Sequence, residues 1–454
     1  MKIETPGNVE LIMNSLSQSG FESYIVGGCV RDSLIGLIPK DYDICTNALP
    51  ENVISIFSEL GYKTIPTGLK HGTVTVVVNE GHYEITTYRV DGNYSDGRRP
   101  DHVDFTKSLK EDLSRRDFTI NAMAYNSNVG LVDYFDGYSG LKKEKIIAVG
   151  EPNDRFVEDP LRMMRAIRIA SQLHFDIDMR TLLSIVRNRS LILKISEERI
   201  RDELAKILLS DNPYMGIEFL RMTHLLKIIL PELQICHGFQ QYNPNHDKDV
   251  YYHSLKVLEN TSGKLELRLA ALFHDIGKPK TFSKDENGVG HFYRHHLESE
   301  KIAKQILTRL RFDNKTIETV CILVREHMSR YDFLRSKNIK KFINRVGVEN
   351  LESLFELQIA DIKGSSKRNN IKMVLKLKSE CEKILNEQQP LSVKDLRING
   401  YDLINIGFPQ GKEIGETLNI LLEIVLEDPQ MNNKEKLEKI ATMRLGNTND
   451  FKTE

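Results

Sequence analysis

The stretch YIVGGCVRDSLIGLIPKDYDIC, running from Tyr24 to Cys45, constrains this chain more tightly than any other. It reads as a short apolar strand, a Gly27-Gly28 turn, a helix opening at Val30-Arg31-Asp32, and then Asp41-Tyr42-Asp43. A Gly-Gly turn lets backbone N–H groups approach an anion closely, and a helix N-terminus behind it adds positive potential. Arg31 offers a planar, permanently charged fork for phosphate oxygens. Asp41 and Asp43 lie two apart, so a strand would set both carboxylates on one face. Paired hard oxygen ligands suit magnesium, which can bridge a triphosphate and an attacking hydroxyl. Singly, a Gly-Gly is ordinarily a turn and a DxD ordinarily a solvated strand edge. Their order within so short a stretch carries the information.

The rest of the chain sets bounds. With 454 residues there is room for two to four domains. No apolar run approaches the ~20 residues of a membrane span, and the opening MKIETPGNVE lacks the apolar core of a secretory signal. Cys29, Cys45, Cys236, Cys321 and Cys381 are scattered, with no CxxC pair. Reduced thiols in a cytoplasmic protein are expected, not zinc–thiolate sites. A formal net charge of -1 gives no global attraction for nucleic acid, so any such contact must come from local basic patches.

Helices are expected at 7–20 and from Pro50 to Leu60, with strands at Lys63–Pro66, Gly72–Asn79 and Tyr83–Arg89 and Gly81 in a turn between the last two. Glu84 is either a third carboxylate near the aspartates or a surface residue. DGNYSDGRRP, Asp91 to Pro100, has the composition of a loop. Arg115-Arg116-Asp117 precedes an apolar segment with Asn121. From about Glu151 strands are expected to stop and helices to continue.

In the helix EDPLRMMRAIR, Pro160 suits the first helical position and Asp159 the N-cap. Arg162, Arg165 and Arg168 follow at intervals of three and drift slowly around one face. A solvated stripe is one reading. The other is an acceptor and donor pair reading the edge of a base.

Strand, Gly-Gly, Arg and DxD in this order resemble the signature of the polymerase-β-like nucleotidyltransferases. More narrowly they resemble the class II tRNA nucleotidyltransferase (CCA-adding enzyme) and bacterial poly(A) polymerase group. The resemblance implies that Asp41 and Asp43 are catalytic and hold Mg2+, and that Gly28, Arg31, Arg116 and Asn121 bind the nucleotide, with Arg115 less central. Asp159 and Arg162 fall on the EDxxR positions that select the base, with Arg165 and Arg168 in support. It further implies that the 91–100 loop takes part in switching from C to A addition, a passive connector being the other reading. Asp133 to Leu141, DYFDGYSGL, resembles the group's hinge, and Ser196 to Ile200 with Glu203 a bracing motif.

A second constellation, His253, His274-Asp275 and Asp361, with His295 and His327 nearby, follows the H…HD…D order of HD-superfamily phosphohydrolases. Imidazole and carboxylate together suit a transition metal or magnesium; an HD fold kept as scaffold is the alternative. His296 competes with His295, whose spacing to Ser299 favours it. Two basic runs follow, Arg335, Lys337, Lys340, Lys341, Arg345 and Lys363, Lys367, Arg368, Lys372, Lys376, Lys378. RINGYD and VLEDPQMN resemble the closing segment of HD-containing CCA-adding enzymes.

The expected fold class is α+β, a mixed-sheet nucleotidyltransferase head followed by helical domains. The head spans 1–145, a helical neck with the base-selecting helix 146–235, the HD domain 236–365, and a tRNA-binding helical tail 366–454. The resemblance implies template-independent addition or repair of the tRNA 3′-terminal CCA from CTP and ATP with release of pyrophosphate. A divalent metal of unassigned identity is expected at the HD site. The rivals are an A-adding enzyme or poly(A) polymerase, and an HD metal-dependent phosphohydrolase with a secondary nucleotidyltransferase head.

Overall fold

The computed structural model describes residues 2–92, 102–242, 249–329, 336–365 and 371–450. The chain divides into two compact units, residues 1–234 with 309–311, and 235–308 with 312–454.

The first unit opens with β1 (Ser23–Val26), β2 (Asp43–Thr46), β3 (Lys63–Gly68), β4 (Thr73–Val78), β5 (Gly81–Thr87), β6 (Arg89–Asp91), β7 (Val103–Phe105), β8 (Met123–Asn126) and β9 (Gly130–Asp133). Seven of them form one sheet in the order β3-β4-β5-β2-β1-β8-β9, while β6 and β7 make a separate hairpin. Within the large sheet β2 and β5 run parallel and the other neighbours antiparallel. Every residue of β1 is buried. Helix Gly7–Gln18 packs on the sheet at β1 and against helix Pro50–Glu59, burying Val9, Ile12, Met13 and Leu16, the i, i+3, i+4, i+7 stripe of an amphipathic helix. This mixed-sheet head, followed by helices, is the expected α+β class.

Local details differ from the sequence reading. Strand β2 begins at Asp43, so Asp41 sits in the lead-in and the same-face argument holds only for its last residue. The helix after the Gly-Gly pair is Gly28–Leu34, opening two residues earlier than expected. Gly81 is not in the turn: it pairs with Val78, and Asn79 and Glu80, both at positive φ (47° and 65°), make the two-residue hairpin loop. Strands do not stop at Glu151 either. Lys145–Ile146 pairs with Asp176–Ile177, and Phe282–Lys284 with Gly290–Phe292.

The second unit is otherwise helical. Helices Val250–Glu259, Leu265–Phe273, His295–Arg309, Asn314–Glu326 and Leu351–Gly364 carry the HD constellation. Further along, Leu403, Leu421, Val425 and Leu437 anchor a separate apolar cluster in the tail. All five cysteines are buried and none is in a disulfide. No described helix is long and apolar enough to cross a membrane.

Candidate active site and metal centre

In the first unit the edge of β1 and β2 opens into a cavity of about 550 Å³. Gly27 and Gly28, Asp43, Arg116, Asn121, Asp159, Arg162 and Arg165 all line it. Six arginines (89, 115, 116, 162, 165, 199) face four aspartates (43, 91, 117, 159), an excess of two positive charges. A highly anionic ligand such as a triphosphate meets that excess.

Gly27 has φ 81° and ψ -132°, a conformation that side chains rarely adopt. A Cβ there would lie 3.0 Å from Nη1 of Arg116, so the glycine is what lets that guanidinium reach the turn. Arg31 donates to Oδ1 of Asn121 (2.7 Å) and pairs with Asp32. Asn121 in turn donates to Asp117 (3.0 Å), and Asp117 accepts two bonds from Arg165 (2.7 and 2.8 Å). Arg31, Asn121, Asp117 and Arg165 are thus one connected chain. Burial alone would raise the Asp117 pKa, but the Arg165 charge and these hydrogen bonds outweigh it and hold the carboxyl at about 2. The same pairing raises the Arg165 pKa.

Asp43 follows the opposite course. Burial raises its pKa; Arg116 opposes the rise, and the charges of Asp41 and Glu84 add to it. The parallel register, Ile44 opposite Ile85, is what brings Glu84 beside Asp43. Asp43 thus feels the charges of two further carboxylates, groups of the hard-oxygen kind that bind magnesium; among the described residues, three His, Cys, Asp or Glu ligand atoms come within 4.8 Å of one another only in the HD cluster.

Helix Leu161–Leu173 begins one residue later than expected, with Pro160 preceding it. Pro160, not Asp159, is therefore the N-cap; Asp159 stands one residue before it, its Oδ1 accepting from Leu161 N–H (3.1 Å) while Arg199 donates to Oδ2 (3.1 Å). Arg162 is held by Glu158 (2.8 Å) and the Arg115 carbonyl (3.1 Å). Acceptor and donor are therefore both oriented on the pocket wall. Arg168 does not line the pocket; it pairs with buried Glu203 at 3.1 Å and braces helix Glu197–Leu208. Arg31 and Asp41 are not among the lining residues either. Sequence reasoning treated Arg199 as a brace and gave Asp117 no role, though both lay inside motifs already singled out. The Arg115-Arg116-Asp117 cluster follows helix Leu109–Ser114 and does not start one.

In the second unit His253, His274, Asp275 and Asp361 converge, and His295 and His327 join them. Nε2 of His253 is 3.2 Å from Asp361 and 3.5 Å from Asp275. Nε2 of His274 is 3.3 Å from Asp275. Gly277 makes this possible, since a Cβ there would strike Ser299 N at 2.6 Å and the His295 carbonyl at 2.7 Å. His296 points elsewhere; His295 is the residue that reaches Asp275 (3.2 Å). Burial, with the neighbouring His274 and His295, pushes His327 down to about 3. A neutral imidazole is a ligand, and buried nitrogen and oxygen donors in this number fit a divalent metal.

Among the described residues of the first basic run, Lys337 and Lys341 pair with Glu423 and Lys337 also with Glu427. Lys340 is buried on the Leu426 carbonyl and Arg345 pairs with Glu326. Acids from two other helices, Asn314–Glu326 and Lys412–Glu427, neutralise a run that has none in sequence. In the second run Lys363, Lys372 and Lys376 are exposed and Lys378 pairs with Glu352. Arg335, Lys367 and Arg368 and nearly all of the 91–100 loop lie outside the described residues.

Residues 23–147 match the poly A polymerase head domain family, 174–236 the family described as the probable RNA and SrmB-binding site of polymerase A, and 250–362 the HD domain. Fold, pocket and these matches define a nucleotidyltransferase that also carries an HD domain, two classes of domain that use divalent metals. The chain is 36% identical to the CCA-adding enzyme of Ligilactobacillus salivarius (strain UCC118), across 94% of this chain and 93% of that one. It is 33% identical to that of Pediococcus pentosaceus across 93% of each. It also superposes on the Bacillus stearothermophilus CCA-adding enzyme solved with CTP, with TM-score 0.71 and 28% identity over 97% of this chain and 98% of that one. The chain belongs to the CCA-adding enzyme family.

Proposed function

We propose that this chain adds C and A to the 3′ end of tRNA, building or repairing the terminal CCA from CTP and ATP and releasing pyrophosphate. The observation that carries the reading is one pocket joining Asp43 and the Gly27-Gly28 turn to Asp159 and Arg162. Metal-binding carboxylates, a phosphate cradle and an oriented donor–acceptor pair are what untemplated nucleotide selection requires. An A-only enzyme or poly(A) polymerase is not favoured, since the relatives similar along nearly the whole chain are CCA-adding enzymes.

Asp41 and Asp43 would hold magnesium, which when bound neutralises the triphosphate and favours ionisation of the attacking hydroxyl. Gly28, Arg31, Arg116 and Asn121 hold phosphates and ribose. Arg31 and Asn121 act as a hydrogen-bonded pair. Asp159 accepts from the base edge and Arg162 donates to it, with Arg165 and Arg168 keeping the helix in place. The functional division follows the head at 1–145, neck at 146–235, HD domain at 236–365 and tail at 366–454. The tail meets tRNA phosphates through Lys372 and Lys376, with Lys363 at the end of the HD domain beside them in sequence, the exposed members of the run among the described residues. At the HD site His253, His274, Asp275 and Asp361 hold a divalent cation and serve hydrolysis of phosphate esters, 2′,3′-cyclic ends among them. Buried thiols with no disulfide among them agree with a cytoplasmic setting.

The test is purified protein with tRNA ending before CCA, given labelled CTP or ATP separately and together. CTP alone should add two residues, and ATP should add one only once they are present. Incorporation of A alone onto a CC end, with no C addition, would assign the A-adding role instead.

A further inference from the structure

His71 lines the nucleotide pocket half-buried, and its imidazole has no hydrogen-bond, ion-pair or ring partner among the described residues. The six arginines of the same wall are each paired with a carboxylate. Asn121 is bonded to Arg31 and Asp117. Asp43 and His71 are the polar side chains of the lining that remain open to a ligand.

The backbone around His71 is fixed. Its carbonyl accepts from the Arg89 guanidinium, and the Gly72 carbonyl accepts from Thr87 N–H (2.9 Å). The turn Leu69–His71 is thereby tied to the end of β5 and to β6. Strand register then gives its place. Asp43 stands beside Glu84 at one end of the β2–β5 pairing, whereas Gly72 is bonded to Thr87 at the other. Glu84 and Thr87 lie roughly 10 Å apart along an extended strand, so His71 is remote from the metal-binding carboxylate. It is joined instead to the base-reading wall. Arg89 pairs with Asp91 (3.0 Å), Asp91 with Arg115 (3.7 Å), and the Arg115 carbonyl accepts from Arg162 (3.1 Å).

Charge decides which part of a nucleotide belongs there. Arg89 and Arg115 are cancelled by Asp91 and Asp112, so this end has no surplus for a phosphate. The Gly27-Gly28 turn and Arg116 serve the phosphates elsewhere in the pocket. An imidazole offers an aromatic face, and nucleobases of every kind stack on such rings. We infer that the His71 ring packs against the base of the incoming nucleotide and holds C and A alike, while Asp159 and Arg162 read the base edge. The inference rests on the nucleotide-pocket reading given above and adds to it a residue that sets affinity, not the choice of base.

The experiment separates base from phosphate. Full-length protein in magnesium buffer, without tRNA, is titrated calorimetrically with CTP, ATP and ribose 5-triphosphate, which has no base. Wild type should bind CTP and ATP more tightly than the base-free ligand. His71→Ala should weaken CTP and ATP by about tenfold each and leave ribose triphosphate unchanged. His71→Phe, which keeps a ring, should restore most of the loss. His71→Asn, which keeps polarity without a ring, should match alanine and replaces it should alanine not fold. On tRNA lacking CCA, KM for both nucleotides should rise in the ringless variants, with kcat and the order of preference retained. Equal weakening of all three ligands, no weakening, or a loss that phenylalanine does not relieve overturns the inference and leaves the pocket reading intact. Wild type binding the base-free triphosphate as tightly as CTP also overturns it. Wild type binding no triphosphate at all overturns both readings.

Discussion

Asp159 accepts the Leu161 N–H with one oxygen and an Arg199 N–H with the other, so its carboxylate is oriented before any base arrives. Arg162 is fixed in the same way by Glu158 and the Arg115 carbonyl. Orientation without a competing internal partner for every lone pair and N–H leaves both groups able to meet a base edge. Asp159→Ala or Arg162→Ala should therefore shift the preference among CTP, ATP, UTP and GTP, at about 1–3 kcal/mol for each lost hydrogen bond. Arg199→Ala should shift it in the same direction but less, because Asp159 keeps its hydrogen bond from Leu161 N–H. Competition between labelled nucleotides checks this; equal slowing of all four would leave Asp159 a brace at the helix start and nothing more. Gly27→Ala acts differently. Its positive φ and the nearby Arg116 predict a strain of about 1–3 kcal/mol, read as a raised KM for every nucleotide with base preference unchanged.

At the level of elements, helix Leu161–Leu173 is tied to the sheet domain through Arg165 and Asp117 and to helix Glu197–Leu208 through Arg168 and Glu203. Because the Asp117 carboxyl is held at about 2 in the fold, below its ordinary value near 4, its ionised form stabilises the folded state. That contribution is complete above pH ~4 and is lost as pH falls through about 2. Denaturant melts of wild type and Asp117→Asn should thus differ by a constant amount from pH 7 to ~4, and by a shrinking amount below. A gap unchanged down to pH 2 would refute the assignment. The Gly-Gly turn and the Arg162 helix were legible because each is written within a few residues, and the HD cluster, spread from His253 to Asp361, because the order of its residue types is distinctive. What depends on distant partners was not. The Arg199 contact with Asp159 and the Asp117 contact with Arg165 join residues about 40 and 48 apart. The run Lys337 to Arg345 reads as basic only until helices Asn314–Glu326 and Lys412–Glu427 supply its glutamates. Gly81 was misread because Asn79 and Glu80 take up the positive φ that the turn demands.

For the whole molecule, the two candidate sites share no residue: the pocket is lined from the first unit and the metal cluster is built within the second. With a formal net charge of -1, long-range attraction contributes little, and each site must hold its anionic substrate by local charge. Their activities should then separate by mutation. If Asp41 and Asp43 hold the metal as proposed, Asp41→Ala or Asp43→Ala should abolish both C and A incorporation, while tRNA binding and any HD-site phosphate release persist. His274→Ala combined with Asp275→Ala should do the reverse. Removing Asp275 also leaves buried Lys278 without its closest counter-charge, at a cost of several kcal/mol to the second unit, so the double variant must first be shown to melt cooperatively. A panel of cyclic and terminal phosphates with magnesium, manganese, nickel or cobalt then compares the three proteins. If wild type and the His274/Asp275 variant release phosphate equally and neither binds metal, the HD fold is scaffold. Nucleotidyl transfer by the first unit would then be the chain's only chemistry.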